Sequence, residues 1–93
     1  MPFLPGATEY ADLWLFPGGT ARNQQAYGRQ VRFDPGVAEE MQQLMFTPET
    51  SGGLLAAIPA GELDELRARF SRSGQPFWVV GEAIAGEGVE VVA

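Results

Sequence analysis

The chain has 93 residues, with six arginines, no lysine and twelve acidic residues, for a net charge of −6 and a pI near 4.4. A chain of that length closes one small domain. The absence of Cys and His excludes a disulfide framework, a Cys/His zinc site, a thiolate nucleophile and a histidine general base, so any chemistry must come from backbone amides, hydroxyls, carboxylates or arginines.

Met1 to Gly6 holds two prolines and a glycine and reads as extended or frayed. Ala7 to Phe16 reads as a helix with Thr8 as N-cap, Glu9 and Asp12 near the positive end of the dipole, and Tyr10, Leu13 and Trp14 on one apolar face. Pro17, Gly18 and Gly19 are expected to end it. Residues 20 to 30 read as polar and irregular, with a short strand at Val31 and Phe33. Asp34 followed by Pro35 signals a helix start. Val37, Met41, Leu44 and Met45 then lay an apolar stripe along a helix ending near Phe46. The apolar run Leu54 to Ile58, bounded by Gly53 and Pro59, reads as a buried strand. Pro59 to Ser73 carries Leu63, Leu66 and Phe70 on one helical face, with Glu65 and Arg69 four apart and Gly74 placed for the C-cap. Phe77 to Ile84 reads as another strand, turning through Gly86, Glu87 and Gly88 as a hairpin into Val89 to Val92. The expected class is α/β (α+β), a mixed sheet of three or four strands with helices packed on it.

A composition of 45% hydrophobic and 19% charged residues is that of a folded domain. The acidic balance argues against nucleic-acid binding. There is no apolar run of the roughly 20 residues that span a bilayer, and no basic, then apolar, leader opens the chain; no membrane association and a cytoplasmic location are the expectation. The charge is uneven: between Asp12 and Asp34 lie Arg22, Arg29 and Arg32 and no acid, so this stretch carries +3 and the remainder −9. Such a stretch can attract an anion; equally, its arginines read as solvated side chains on a long loop.

Two segments carry candidate binding chemistry. In Pro17-Gly18-Gly19-Thr20 with Asn23, the glycines permit close backbone approach, and the Thr hydroxyl and Asn amide could meet phosphate. By spacing alone, a C-cap turn is the first reading, and no Lys-Ser/Thr follows to make a Walker loop. In Thr47-Pro48-Glu49-Thr50-Ser51-Gly52-Gly53, two hydroxyls and two glycines could present donors to an anion, or form a tight turn whose hydroxyls cap the preceding helix. The carboxylates Glu39, Glu40, Glu62, Asp64 and Glu65 read as solvated helix faces, and no metal site is expected.

The order Pro17-Gly18-Gly19-Thr20-x-x-Asn23, then Val31-Arg32-Phe33-Asp34-Pro35-Gly36, then Thr47-Pro48-Glu49-Thr50-Ser51-Gly52-Gly53-Leu54-Leu55, resembles the C-terminal part of the selenophosphate synthetase (selenide, water dikinase) family. That family lies within the aminoimidazole ribonucleotide synthetase-like ATP enzymes. The closing stretch around Gly81-Glu82 and Gly86-Glu87-Gly88 is similar too. The family segment usually reads Asp-Pro-Gln-Thr-Ser-Gly-Gly-Leu; here Thr47 stands for its Asp and Glu49 for its Gln.

The resemblance implies that residues 1–93 form a single, partial C-terminal domain without the N-terminal ATP-binding domain. The implied parent makes selenophosphate, AMP and phosphate from selenide, ATP and water, using magnesium. On that basis the chain closes over a nucleotide site, with Gly18, Gly19, Thr20, Asn23, Thr50, Ser51, Gly52 and Gly53 as phosphate- or nucleotide-facing candidates. No residue of this chain is expected to be catalytic, no cofactor is expected to belong to it alone, and its expected partner is the missing N-terminal domain. Uncovered sheet edge and apolar surface predict self-association, in the limit a homodimer. The alternatives are the C-terminal domain of another enzyme of the superfamily, such as a purine-biosynthetic synthetase or a hydrogenase-maturation protein, or a non-catalytic self-associating module.

Overall fold

The computed structural model describes all residues, 1–93. Its elements are α1 (Ala7–Asp12), α2 (Gly18–Tyr27), β1 (Val31–Phe33), α3 (Glu39–Met45), α4 (Leu63–Ser73) and β2 (Val89–Val91), with one-turn 3-10 segments at Gly28–Gln30 and Ala60–Glu62. They fall into two compact units. One is formed by Phe3–Gly52 with Ala85–Ala93, the other by Gly53–Ile84 with Met1–Pro2.

In the larger unit, β1 and β2 form a two-stranded parallel sheet with Val31 opposite Val89, Arg32 opposite Glu90 and Phe33 opposite Val91. Val31 and Phe33 turn to the half-buried side and Arg32 to solvent, the period-2 alternation of a strand with one covered face. Asp34 N–H extends the ladder to the carbonyl of Val91 at 2.8 Å. Helices α1 and α2 both pack on α3. The core is small: Ala11 and Phe46 are its buried apolar residues, and Phe33 meets Phe46 edge to face, with ring centroids 5.9 Å apart. Such a pair contributes about 0.5–1.5 kcal/mol beyond area burial.

Several expectations are corrected by these elements. The first helix is capped by Gly6 in the left-handed region, not by Thr8, and stops at Asp12. It ends in a Schellman arrangement, with Trp14 N–H on the carbonyl of Ala11 and Leu15 N–H on that of Tyr10. The left-handed position falls on Trp14, at φ 56°. Pro17-Gly18-Gly19 therefore terminates nothing; it opens α2, and residues 20 to 27 are helical. That helix lacks an apolar stripe, which is why its sequence reads as irregular. Asp34-Pro35 is a turn rather than a helix start: the Asp34 side chain accepts from Gly36 N–H at 2.8 Å, and α3 begins at Glu39.

The smaller unit contains α4, which ends as expected on Gly74 at φ 67° and carries the Glu65–Arg69 ion pair at 2.5 Å. Phe70 packs on Phe77 with centroids 5.0 Å apart, and Leu63, Leu66, Phe70 and Phe77 are half-buried. Leu54–Ile58 and Phe77–Ile84 are not strands, and both stay exposed apart from Phe77. An apolar run needs burial, but a strand also needs a neighbouring backbone, and neither segment has one here. The Gly86-Glu87-Gly88 turn is present, with Gly86 and Gly88 at positive φ. It leads into parallel pairing with β1, not into a hairpin, so the sheet has two strands instead of three or four.

Candidate functional site

Gly19, Thr20 and Asn23 are spaced i, i+1, i+4, which brings them onto one side of a helix. That side of α2 meets the segment leaving α3. Asn23 Nδ2 donates to the carbonyl of Phe46 at 2.9 Å, a carbonyl beyond the last turn of α3 with no intrahelical donor. The Thr20 and Thr47 hydroxyls are 3.2 Å apart, and Thr47 Oγ1 reaches the carbonyl of Gln43 at 3.5 Å. A β-carbon on Gly19 would come within 2.7 Å of Pro48 Cγ, so here the helix backbone lies directly against the proline ring. Three consecutive residues, Phe46, Thr47 and Pro48, are thus met in reverse order by Asn23, Thr20 and Gly19. Next to Asn23 on α2, Gln43 Nε2 donates to Gln24 Oε1 at 2.8 Å.

The two Gly-rich segments singled out in the sequence are therefore adjacent. Thr20 is 1% exposed, the largest fully buried side chain in the chain, and Asn23 is half-buried. Gly18, Thr50, Ser51 and Gly52 are exposed. Gly18 and Gly19 supply first-turn amides of α2, which a helix leaves without intrahelical acceptors, while Thr20 N–H turns back to the carbonyl of Pro17 at 3.0 Å. Gly52 N–H closes a turn onto the carbonyl of Glu49 at 3.2 Å. Gly53 begins the other unit. The contribution of Thr47, Pro48, Gln24 and Gln43 to the junction is specific to the folded chain. Gln24 and Gln43 carry no motif in the sequence, and Pro48 shows its part only once α2 is known to lie against it.

Two of the three arginines of the +3 stretch lie together elsewhere, while Arg22 is on α2. Arg29 and Arg32 line an open surface cleft of about 260 Å³ with Gln30, Glu87, Gly88 and Val89, and Arg32 is paired with Glu90 on the neighbouring strand. No three Asp or Glu side chains converge as metal ligands, and no helix is long and apolar enough to cross a membrane.

Residues 22–93 match the family described as AIR synthase related protein, C-terminal domain. Among curated proteins, the chain is similar to the selenide, water dikinase of Pelobacter propionicus, with 38% identity over 90 residues covering 97% of this chain and 25% of the relative. The protein of the same name from Paraburkholderia xenovorans is 36% identical over 94 residues, covering 99% of this chain and 27% of the relative. That from Salmonella typhi is 35% identical over 88 residues, covering 95% and 24%. The chain thus spans about a quarter of the length of these relatives. No solved structure gives a significant match.

Proposed function

Because the chain belongs to the AIR synthase related protein family and matches its C-terminal domain over residues 22–93, we propose that it serves as the C-terminal part of an ATP-dependent selenide, water dikinase, closing over the nucleotide. The reaction assigned to the whole enzyme converts selenide, ATP and water to selenophosphate, AMP and phosphate. The observation that carries this reading is similarity to proteins of that name over nearly the whole chain, 97% in the first case, together with the meeting of the two Gly-rich segments at one junction.

In this reading the chain supplies shape and donors, not reacting groups. The first-turn amides of α2 at the exposed Gly18 and the half-buried Gly19, with the exposed hydroxyls of Thr50 and Ser51, present donors, which favour phosphate oxygens. The residues here offer no metal-ligand set, and the proposed role does not need one. Without a Cys, His or Lys, the chain alone is expected not to turn over ATP.

A chimera tests this. Replacing the matching C-terminal quarter of a curated dikinase with residues 1–93 should preserve selenide-dependent AMP formation, whereas the same dikinase with that quarter deleted should form none. A soluble but inactive chimera, or AMP formation by the isolated chain, would sink the assignment.

A second reading rests on exposed apolar side chains. Leu54 is 103% and Leu55 83% exposed, and Trp78, Val79 and Ile84 are also open to solvent. A module bearing such residues associates with its own kind, and this reading needs no catalysis.

A further inference from the structure

We propose that Thr20 and Asn23 are positioning residues, a latch that orders the Thr50–Gly52 loop. Thr20 is almost wholly inaccessible. If Thr47 donates to Gln43, Thr20 donates to Thr47, so its single hydroxyl proton is committed inside the protein. Asn23 is half-buried and commits one N–H of its side-chain amide to the Phe46 carbonyl, which fixes the direction of the group.

The effect falls on the loop that leaves the junction. Phe46, Thr47 and Pro48 are each fixed to α2, and proline holds its own φ near −65°. The chain therefore enters Glu49 with its direction set, and the turn closed by Gly52 N–H on Glu49 starts from an anchored residue. The spacing Gly-Thr-x-x-Asn is the spacing such a clamp requires, because those positions of a helix face one neighbour. The proposal rests on the dikinase reading only for what the loop faces; the latch itself is a property of this chain.

Backbone ¹⁵N relaxation on the full chain tests it. In the unaltered chain, order parameters at Thr50, Ser51 and Gly52 should be near the rigid value of about 0.85, and in Thr20→Val they should fall below about 0.6. Thr20→Ser, which keeps the hydroxyl, should restore them. Gly19→Ala reaches the same junction from another side by pressing a methyl group into Pro48, and should loosen the same three residues. The Asp34 amide, on the β1–β2 ladder, should keep its order in every variant, whereas a general loss of structure would loosen it equally. If Thr20→Val does not fold, Gly19→Ala gives the answer. The proposal is overturned by a loop already below about 0.6 in the unaltered chain, by a loop unchanged in the variants, or by equal loosening at Asp34. An inactive chimera alongside a loop that responds as described would remove the dikinase reading and leave the latch standing.

Discussion

Asn23 Nδ2 donates to the carbonyl of Phe46 at 2.9 Å, joining two residues that are 23 positions apart. The acceptor lies where α3 has run out of partners, so the side chain of one helix completes the end of another. Asn23→Ala should cost about 1–2 kcal/mol, the typical penalty for leaving a partly buried acceptor unsatisfied. Asn23→Asp should cost more, because an ionised carboxylate has nothing to donate and turns its charge toward a carbonyl. Urea unfolding at neutral pH should rank the midpoints Asn above Ala above Asp; a variant with Asp as stable as the original would show that the contact contributes nothing.

Gly88 combines φ +86° with a site where a β-carbon would lie 2.6 Å from the backbone oxygen of Gln30. Both terms oppose any side chain, and the blocking atom is main chain and cannot swing away. Gly88→Ala should destabilise the larger unit by about 2 kcal/mol or more, combining left-handed strain with displacement of the strand pair. Gly81→Ala meets nothing within 4 Å and should change thermal stability little. Equal melting temperatures for the two variants would contradict the geometry at Gly88.

If the two Gly-rich segments face phosphate, adding AMP or inorganic phosphate should shift the Gly18, Gly19 and Gly52 amide resonances together and leave Gly61 and Gly74 unmoved. The isolated chain should bind weakly, since it provides one side of a site. Silence at all three glycines up to millimolar ligand would leave them as turn and helix-start residues in this chain.

Leu54 and Leu55 lie in a segment whose composition asks for burial, yet both are exposed. Light scattering coupled to size exclusion should show mass rising with protein concentration, and Leu54→Ser with Leu55→Ser should reduce that rise. A single monomeric mass at high concentration would eliminate self-association through this segment.

Legibility followed locality. The end of α4 at Gly74, the Glu65–Arg69 pair and the end of α3 at Phe46 are set by residues within about a turn of one another, and a linear reading finds them. Helix α2 is different. Its Gly-Gly start and polar run Arg22-Asn23-Gln24-Gln25 give no apolar period, and much of what specifies it is the tertiary junction through Gly19, Thr20, Asn23 and Gln24. The strands expected at Leu54–Ile58 and Phe77–Ile84 failed for the complementary reason: apolarity shows that a segment seeks cover, and says nothing of whether another strand stands beside it. At the candidate site, the two motifs were visible as motifs. That one holds the other was not visible, because it depends on a helix axis the sequence does not announce.

The division of the chain into two units has a practical consequence for measuring it. Trp14 lies in the larger unit and Trp78 in the smaller, both more than half exposed, and they are the chain's only tryptophans. Each unit thus carries its own intrinsic fluorophore, and Trp14→Phe and Trp78→Phe give a pair of single-reporter chains. Coincident transitions would establish that the units melt as one cooperative body; separated transitions would assign a free energy of unfolding to each.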